Sequence, residues 1–249
     1  MPTASGWTNT ASCRHWSIRR RFRPFVPFLR DGLGVVFSRN YARGAVDSDR
    51  TREVAFTTRA AGGTQTLILL SGGLDSSTLV ALARDRGLRP DALHVSYGQA
   101  AAGAELEAAN RICRRYEVPL IHVRYEGSHF AAGEIRGRNA FLLQVALLEF
   151  PGEAGVVLVG LHGGTDYSDC SPEFVSQVQA LYRLHTKGAI EMEAPFLDFA
   201  KVDLVRLARD LGVNVDLTYS CEAGDESCGT CQSCVDRARL IVEFPAARA

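Results

Sequence analysis

No stretch restricts the fold of this chain more than Leu67-Ile68-Leu69-Leu70-Ser71-Gly72-Gly73-Leu74-Asp75-Ser76-Ser77-Thr78. Four apolar residues run into a Gly-Gly turn and then into a hydroxyl-rich helix start, the order strand, loop, helix. The apolar run has the length of a buried strand, and the spacing from Ser76 through Leu79, Leu82 and Ala83 is helical, with Gly87 as its stop. Gly72 and Gly73 permit a sharp turn and a close approach to an anion, while Ser71, Ser76, Ser77 and the free N–H groups of the first helical turn supply donors. A helix N-terminus carries partial positive charge, so a pyrophosphate is accommodated there without a lysine. The order has neither the Gly-Lys-Ser/Thr ending of a Walker loop nor the spacing of the dinucleotide fingerprint. The bland alternative is a tight strand-to-helix turn of small residues. Asp75 likewise has two readings: a charge complement to the helix terminus or, with ATP bound, a Mg²⁺ ligand beside phosphate oxygens.

From Thr64 onward, apolar strand candidates alternate with helices. Asp91–Tyr97 reads as a second strand before a helix over Ala104–Tyr116, and Leu120–Tyr125 as a third before a helix over Asn139–Phe150. Gly155–Gly160 reads as a fourth, and Ala194–Leu197 as a short fifth ahead of a helix over Lys201–Leu211 closed by Gly212. Such alternation requires parallel strands with helices on both faces, a doubly wound α/β sheet. Ligands on such sheets bind at the C-terminal strand edges, where the turns after strands one, two and four converge. Those turns hold Ser96-Tyr97-Gly98-Gln99 and the long polar run from Gly160 to Phe174, in which Ser171 caps a helix with Pro172 at its first position. Asp166 and Asp169 are either turn residues or ligand contacts, and the strand-edge position favours contact. His162 has no identifiable partner and reads as a loop histidine. In Arg136-Gly137-Arg138-Asn139, Arg138 either grips a phosphate or carboxylate bidentately or belongs to a solvated helix cap.

Near the C-terminus, Cys221, Cys228, Cys231 and Cys234 place four thiols within fourteen residues, with two overlapping Cys-x-x-Cys steps. That spacing matches a tetrahedral Zn²⁺ site, with an iron–sulfur cluster or a redox dithiol as alternatives. A closed four-sulfur site leaves no open coordination position, so its role is structural. Cys13 and Cys113 look incidental. Seven cysteines without a secretion signal point to a reducing, cytoplasmic location.

At 249 residues and 46% apolar content the chain can bury one sizeable core, and no run approaches the ~20 apolar residues of a membrane span. The formal net charge of zero conceals an asymmetry, because residues 1–60 hold 11 arginines against 4 acidic residues and the remainder is acidic. An acidic body offers no nucleic-acid surface. Residues 1–63 lack a sustained period and read as a disordered or non-native N-terminal extension, with a transit peptide or a basic nucleic-acid arm as alternatives.

The Ser-Gly-Gly-x-Asp-Ser order resembles the loop of the ATP pyrophosphatase (PP-loop) superfamily. The loop, Tyr97-Gly98-Gln99, Gly137-Arg138-Asn139, Asp166-Tyr167-Ser168 with Asp169-Cys170 and Pro172-Glu173-Phe174, Thr186-Lys187, Pro195-Phe196-Leu197 with Lys201, and the cysteine cluster followed by Arg237 together resemble the 7-cyano-7-deazaguanine synthase (QueC) family. The likeness runs in order from about Thr66 to Ile241. It implies a PP-loop ATP-binding domain over 64–217 and a four-cysteine zinc-binding segment over 218–249. It further implies that ATP adenylates 7-carboxy-7-deazaguanine, that ammonia displaces AMP, and that a second ATP drives dehydration to the nitrile. ATP would be held by Leu70, Ser71, Gly72, Gly73, Leu74, Asp75, Ser76, Ser77, Thr78, Leu79 and Val80, with Mg²⁺ at Asp75. Arg138, Asp166, Lys187 and Lys201 would contact substrate or phosphate, and Cys221, Cys228, Cys231 and Cys234 would hold Zn²⁺. A homodimer is the assembly the family suggests.

This chain departs from the family pattern on the substrate side. Glu126–Ile135 is short, Ile135-Arg136 stand for Val-Pro, and Ser168 runs directly into Asp169 without Gly-Tyr-Pro. Competing functions are a diverged relative using another acceptor, for example in phage defence, a tRNA thiolase or amidase, and a non-catalytic zinc-stabilised nucleotide-binding module.

Overall fold

In the computed structural model, residues 64–127, 129–130, 135–163 and 167–243 are described. The N-terminal extension of the sequence reading therefore lies outside the described residues. Five strands, β1 (Gln65–Leu69), β2 (Asp91–Ser96), β3 (Leu120–Arg124), β4 (Gly155–Val159) and β5 (Ile190–Glu193), form one parallel sheet in the order β3-β2-β1-β4-β5. All five residues of β4 are buried, as expected of a strand covered on both faces, which is why it reads as an apolar run without alternation.

Helices α1 (Leu74–Asp85), α2 (Ala102–Tyr116) and α5 (Lys201–Asp210) cover one face, packing Leu79, Ile112 and Leu204 against Ile68 and Leu158. Helices α3 (Arg138–Leu148) and α4 (Pro172–Thr186) cover the other, where Leu143, Val178 and Tyr182 meet Leu67, Leu93 and Val157. A last helix, α6 (Gln232–Glu243), follows the cysteine-rich segment. The chain winds outward from β1 to β3 and then returns to place β4 on the other side of β1. That reversal opens a crevice at the carboxyl ends of β1 and β4. The register pairs Leu69 with both Leu93 and Val159, so Leu70, His94 and Gly160 follow at one level on that edge.

Most element boundaries fall within two residues of those read from the sequence. The fifth strand is the correction. It occupies Ile190–Glu193, and Pro195–Asp198, which takes in most of the expected strand, is turn. Pro195 has no N–H to contribute to a ladder. The chain instead makes tight turns through Leu197 N–H to the Ala194 carbonyl (3.1 Å) and Phe199 N–H to the Phe196 carbonyl (2.8 Å), which bury Phe196 in the core. The true strand is a four-residue edge strand in which buried Ile190 and Met192 alternate with half-buried Glu191 and Glu193, a pattern too short to stand out.

The α3–α4 layer is pinned by Tyr182, a fully buried residue whose hydroxyl donates to the Leu143 carbonyl at 2.5 Å. Burial raises its phenol above the ordinary range, so it remains a donor at any working pH. Tyr182→Phe keeps the ring and removes the donor. It is expected to lower stability by about 1–2 kcal/mol, read as a lower urea midpoint at unchanged slope. An unmoved midpoint would show that the bond contributes nothing net.

Candidate active site

The loop after β1 is shaped by contacts that tolerate no side chain. Gly72 has φ +88°, and a Cβ there would sit 2.6 Å from the Glu105 carbonyl oxygen and 3.1 Å from the Ala109 nitrogen, so α2 excludes any other residue. The Gly72 carbonyl accepts from the Tyr219 N–H at 2.9 Å. Gly160, at the end of β4, lies against the loop from the other side, where a Cβ would meet the Asp75 carbonyl carbon and the Ser76 nitrogen at 3.2 Å.

The loop's hydroxyls largely hold the loop itself. Ser77 donates to the Gly73 carbonyl (2.7 Å), Ser76 to the same carbonyl (3.2 Å), and the Ser71 and Ser76 hydroxyls lie 3.0 Å apart. Ser77 and Thr78 are fully buried, and Leu79 and Val80 belong to the core. These four back the loop rather than face a ligand. Gly73 is the N-cap of α1 and provides no side-chain cap, which leaves the positive end of the helix open to an external anion.

Two cavities of about 300 and 290 Å³ meet along Ser71, Asp75, Glu105 and Arg138. The first opens toward Lys201, Tyr219 and Arg237, the second toward the strand ends at Val95, Val159 and His162. Asp75 stands at their junction. Its Oδ1 accepts from Lys201 Nζ at 2.5 Å and its Oδ2 lies 3.3 Å from His162 Nε2. Burial pushes this carboxyl up, but the His162 hydrogen bond and the Lys201 ammonium outweigh it, so it titrates below the usual carboxylate value. A lysine opening a helix opposes the helix dipole, so Lys201 at the first position of α5 serves the site rather than its own helix. Arg138 opens α3 after Gly137 (φ +74°), and its Nε donates to Asn139 Oδ1 at 3.3 Å.

The structure thus brings Ser71, Gly73, Leu74, Asp75, Ser76, Arg138 and Lys201 to the paired cavities. It does not bring Lys187 there: this residue is the exposed C-cap of α4, in left-handed conformation just before β5, at the opposite edge of the sheet. Asp166 lies outside the described residues.

Two participants were not legible as such. His162, read as a loop histidine, is buried and contacts Asp75, a partner 87 positions away that no local pattern announces. Glu105 lines both cavities, and its carboxylate accepts from Gln99 Nε2 at 2.8 Å, while burial raises its pKa. The strand-edge Gln99 was the available signal.

The four cysteines converge. Their sulfur atoms all lie within 4.8 Å of one another, close to the ~3.8 Å that Zn–S bonds of about 2.3 Å in a tetrahedron require. Backbone N–H groups point at the sulfurs: Ala223 and Cys228 at Cys221 (both 3.4 Å) and Cys231 at Cys228 (3.3 Å). With the Thr230 hydroxyl and its N–H, the Cys231 N–H draws the Cys228 thiol down to about 6, favouring the thiolate. Four soft donors in this arrangement fit Zn²⁺. The segment is also tied to the body. Arg237 donates to Thr218 Oγ1 and the Val215 carbonyl (both 2.7 Å), and Asp225 Oδ1 accepts from the Ala104 N–H (2.9 Å) at the start of α2. The body itself offers no helix long and apolar enough to cross a membrane among the described residues.

The sequence pattern of the family "Queuosine biosynthesis protein QueC" matches residues 65–133 and 123–244. The 7-cyano-7-deazaguanine synthase of Marinobacter nauticus is 34% identical over 198 residues, which cover 69% of this chain and 89% of the relative. The enzyme of the same name from Methanoculleus marisnigri is 35% identical over 207 residues (71% and 93%), and that from Azoarcus sp. 36% over 203 residues (68% and 88%). The match extends from β1 through the cysteine cluster into α6, with the loop, the strand-edge turns and the four thiols inside it, and the chain belongs to the QueC family.

Proposed function

We propose that this chain is a 7-cyano-7-deazaguanine synthase: an ATP-dependent ligase that makes a deazaguanine nitrile from 7-carboxy-7-deazaguanine and ammonia for queuosine biosynthesis. The observation that carries the proposal is the uncapped N-terminus of α1 set beside Asp75, Lys201 and Arg138 at the junction of the two cavities. In this reaction the carboxylate oxygen attacks the α-phosphorus of ATP and pyrophosphate leaves. Ammonia then adds to the acyl carbon, loses a proton and expels AMP. The amide oxygen attacks the α-phosphorus of a second ATP, a second pyrophosphate leaves, and loss of AMP and two protons yields the nitrile. Charge develops mainly on phosphate oxygens, so the protein's task is placement and electrostatic stabilisation.

In this assignment the open N–H groups of α1 with Ser71 and Gly73 hold the pyrophosphate end of ATP. Lys201 and Arg138 neutralise developing phosphate charge, and His162 fixes the Asp75 carboxylate through Oδ2. Asp75 would hold Mg²⁺, which supplies charge neutralisation for the phosphates when bound. Cys221, Cys228, Cys231 and Cys234 hold a structural Zn²⁺ in the appended segment 218–249, and 64–217 form the ATP-binding domain. A second reading, a relative that acts on a related acid for another acceptor, is favoured by one local feature: the tight turn Ser168–Cys170 runs directly into the Ser171 cap of α4, with no residues between them.

Incubating the protein with ATP, Mg²⁺, ammonium and 7-carboxy-7-deazaguanine should yield nitrile, AMP and pyrophosphate by mass spectrometry. An amide or adenylate as end product selects the second reading, and no AMP at all refutes the first and moves the test to a related acid. Asp75→Ala should reduce pyrophosphate release by about a hundredfold or more with an unchanged circular dichroism spectrum; undiminished turnover would remove Asp75 from the chemistry. Cys228→Ser is expected to lose bound zinc and to melt earlier or aggregate, since metal binding contributes to folding free energy. A fully active Cys228→Ser protein with an unchanged melting temperature would dismiss the structural metal.

A further inference from the structure

The strand-edge cavity contains a polar group that phosphate chemistry leaves unused. His94, on β2, is 1% exposed and lines this cavity together with Leu70, Val95, Leu142 and Val159. Its Nδ1 lies 2.9 Å from the Leu70 carbonyl oxygen. A carbonyl only accepts, so Nδ1 carries the proton. Burial holds the imidazolium pKa below its ordinary value despite the Leu70 bond, and the His122 ring, 5.7 Å away between centroids, opposes a second charge. The ring is therefore neutral and Nε2 is a bare lone pair. Among the described residues no group donates to it. A buried acceptor in that state costs stability that an apolar residue would avoid, so its presence calls for a donor from outside the protein.

We propose that His94 Nε2 accepts a hydrogen bond from an N–H of a purine-type base seated in the strand-edge cavity, and so selects that base. The cavity's apolar walls suit the faces of a flat heteroaromatic ring, whose N–H groups lie at its edge and match a lone imidazole acceptor. Its shared border with the loop cavity at Ser71, Asp75 and Arg138 lets a base sit here while its phosphate, or the carboxylate it bears, reaches the loop. Two bases carry this chemistry: the adenine of ATP, through its 6-amino group, and the deazaguanine acid, through its ring and amino N–H groups. This inference rests on the ATP reading of the cleft.

Calorimetric titration of the full chain with MgATP and, separately, 7-carboxy-7-deazaguanine distinguishes the sources. In His94→Asn the amide nitrogen can still donate to the Leu70 carbonyl, while the Nε2 acceptor is lost. The ligand that His94 reads should bind this variant about tenfold or more weakly than it binds the wild type, with the other ligand unchanged. If ATP is that ligand, purine riboside triphosphate, which lacks the 6-amino group, should bind the wild type about tenfold more weakly than ATP and bind both proteins alike. In the wild type, with no substitution at all, the ¹⁵N resonance of the unprotonated Nε2 should move upfield on adding the ligand that His94 reads. Equal affinities of both proteins for both ligands, with a static Nε2 resonance, would overturn the role of His94 and leave the nucleotide site standing. If the wild type binds neither ligand, the ATP reading fails and this inference fails with it.

Discussion

Everything at the carboxyl edge of the sheet depends on the close seat of Gly72. Because it has no side chain, the loop backbone lies directly on α2, within a distance of the Glu105 carbonyl that no Cβ could occupy, and its own carbonyl is free to accept from Tyr219. One residue thus joins three elements: the loop that follows β1, α2, whose N-terminal half it touches, and the segment that leads to Cys221. A phosphate-binding loop must present N–H groups in a fixed array, and an array is only as rigid as the backbone behind it. The serine and threonine hydroxyls contribute by tying the Gly73 and Leu74 carbonyls onto α1.

Asp75 and Lys201 illustrate how magnitude separates structural from functional charge. Exposed ion pairs contribute about 0–1 kcal/mol and the loss of one partner from a fully buried pair costs about 3–5 kcal/mol. With side-chain exposures of 25% for Asp75 and 38% for Lys201, this pair lies between those limits. It helps to hold the carboxylate ionised. A lysine that opens α5 works against the helix dipole, and what offsets that cost is the bond to Asp75 that joins α5 to α1.

The parts of the fold that the sequence announced are those encoded by neighbours along the chain: the apolar run of β1, the Gly-Gly turn, the Ser171–Pro172 start of α4 and the overlapping Cys-x-x-Cys steps. The edge strand β5 was misplaced because its inward positions, Ile190 and Met192, are only two and are interleaved with glutamates, whereas Pro195-Phe196-Leu197 looked more apolar. Within the site, Asp75 and Arg138 were visible from their motifs, but His162 was not, since its significance lies in a contact across 87 positions. The same reasoning applies to Lys187, whose motif neighbour Thr186 turns out to bond the Tyr182 and Ile190 carbonyls and to close the α4–β5 turn. Short motifs identify residues that a fold retains, and only topology separates those that meet a ligand from those that close a turn.

The cysteine segment carries more than its own stability. Tyr219 bonds the loop, Asp225 caps the start of α2, and Arg237 ties α6 to the turn at Val215–Leu217, so the cysteine segment is fastened at three points around the cleft. Asp225 at the first turn of α2 also places a carboxylate where the helix dipole favours one. Each of these bonds is individually worth about 1 kcal/mol, too little to order a loop-rich segment against the entropy of its residues. In the zinc reading, four thiolates on one metal would supply what the hydrogen bonds lack, and so would hold Tyr219 and Arg237 at the wall of the cavity beside the loop after β1. On that reading, a site with no open coordination position would still act on the cleft next to it, by deciding whether one of its walls exists.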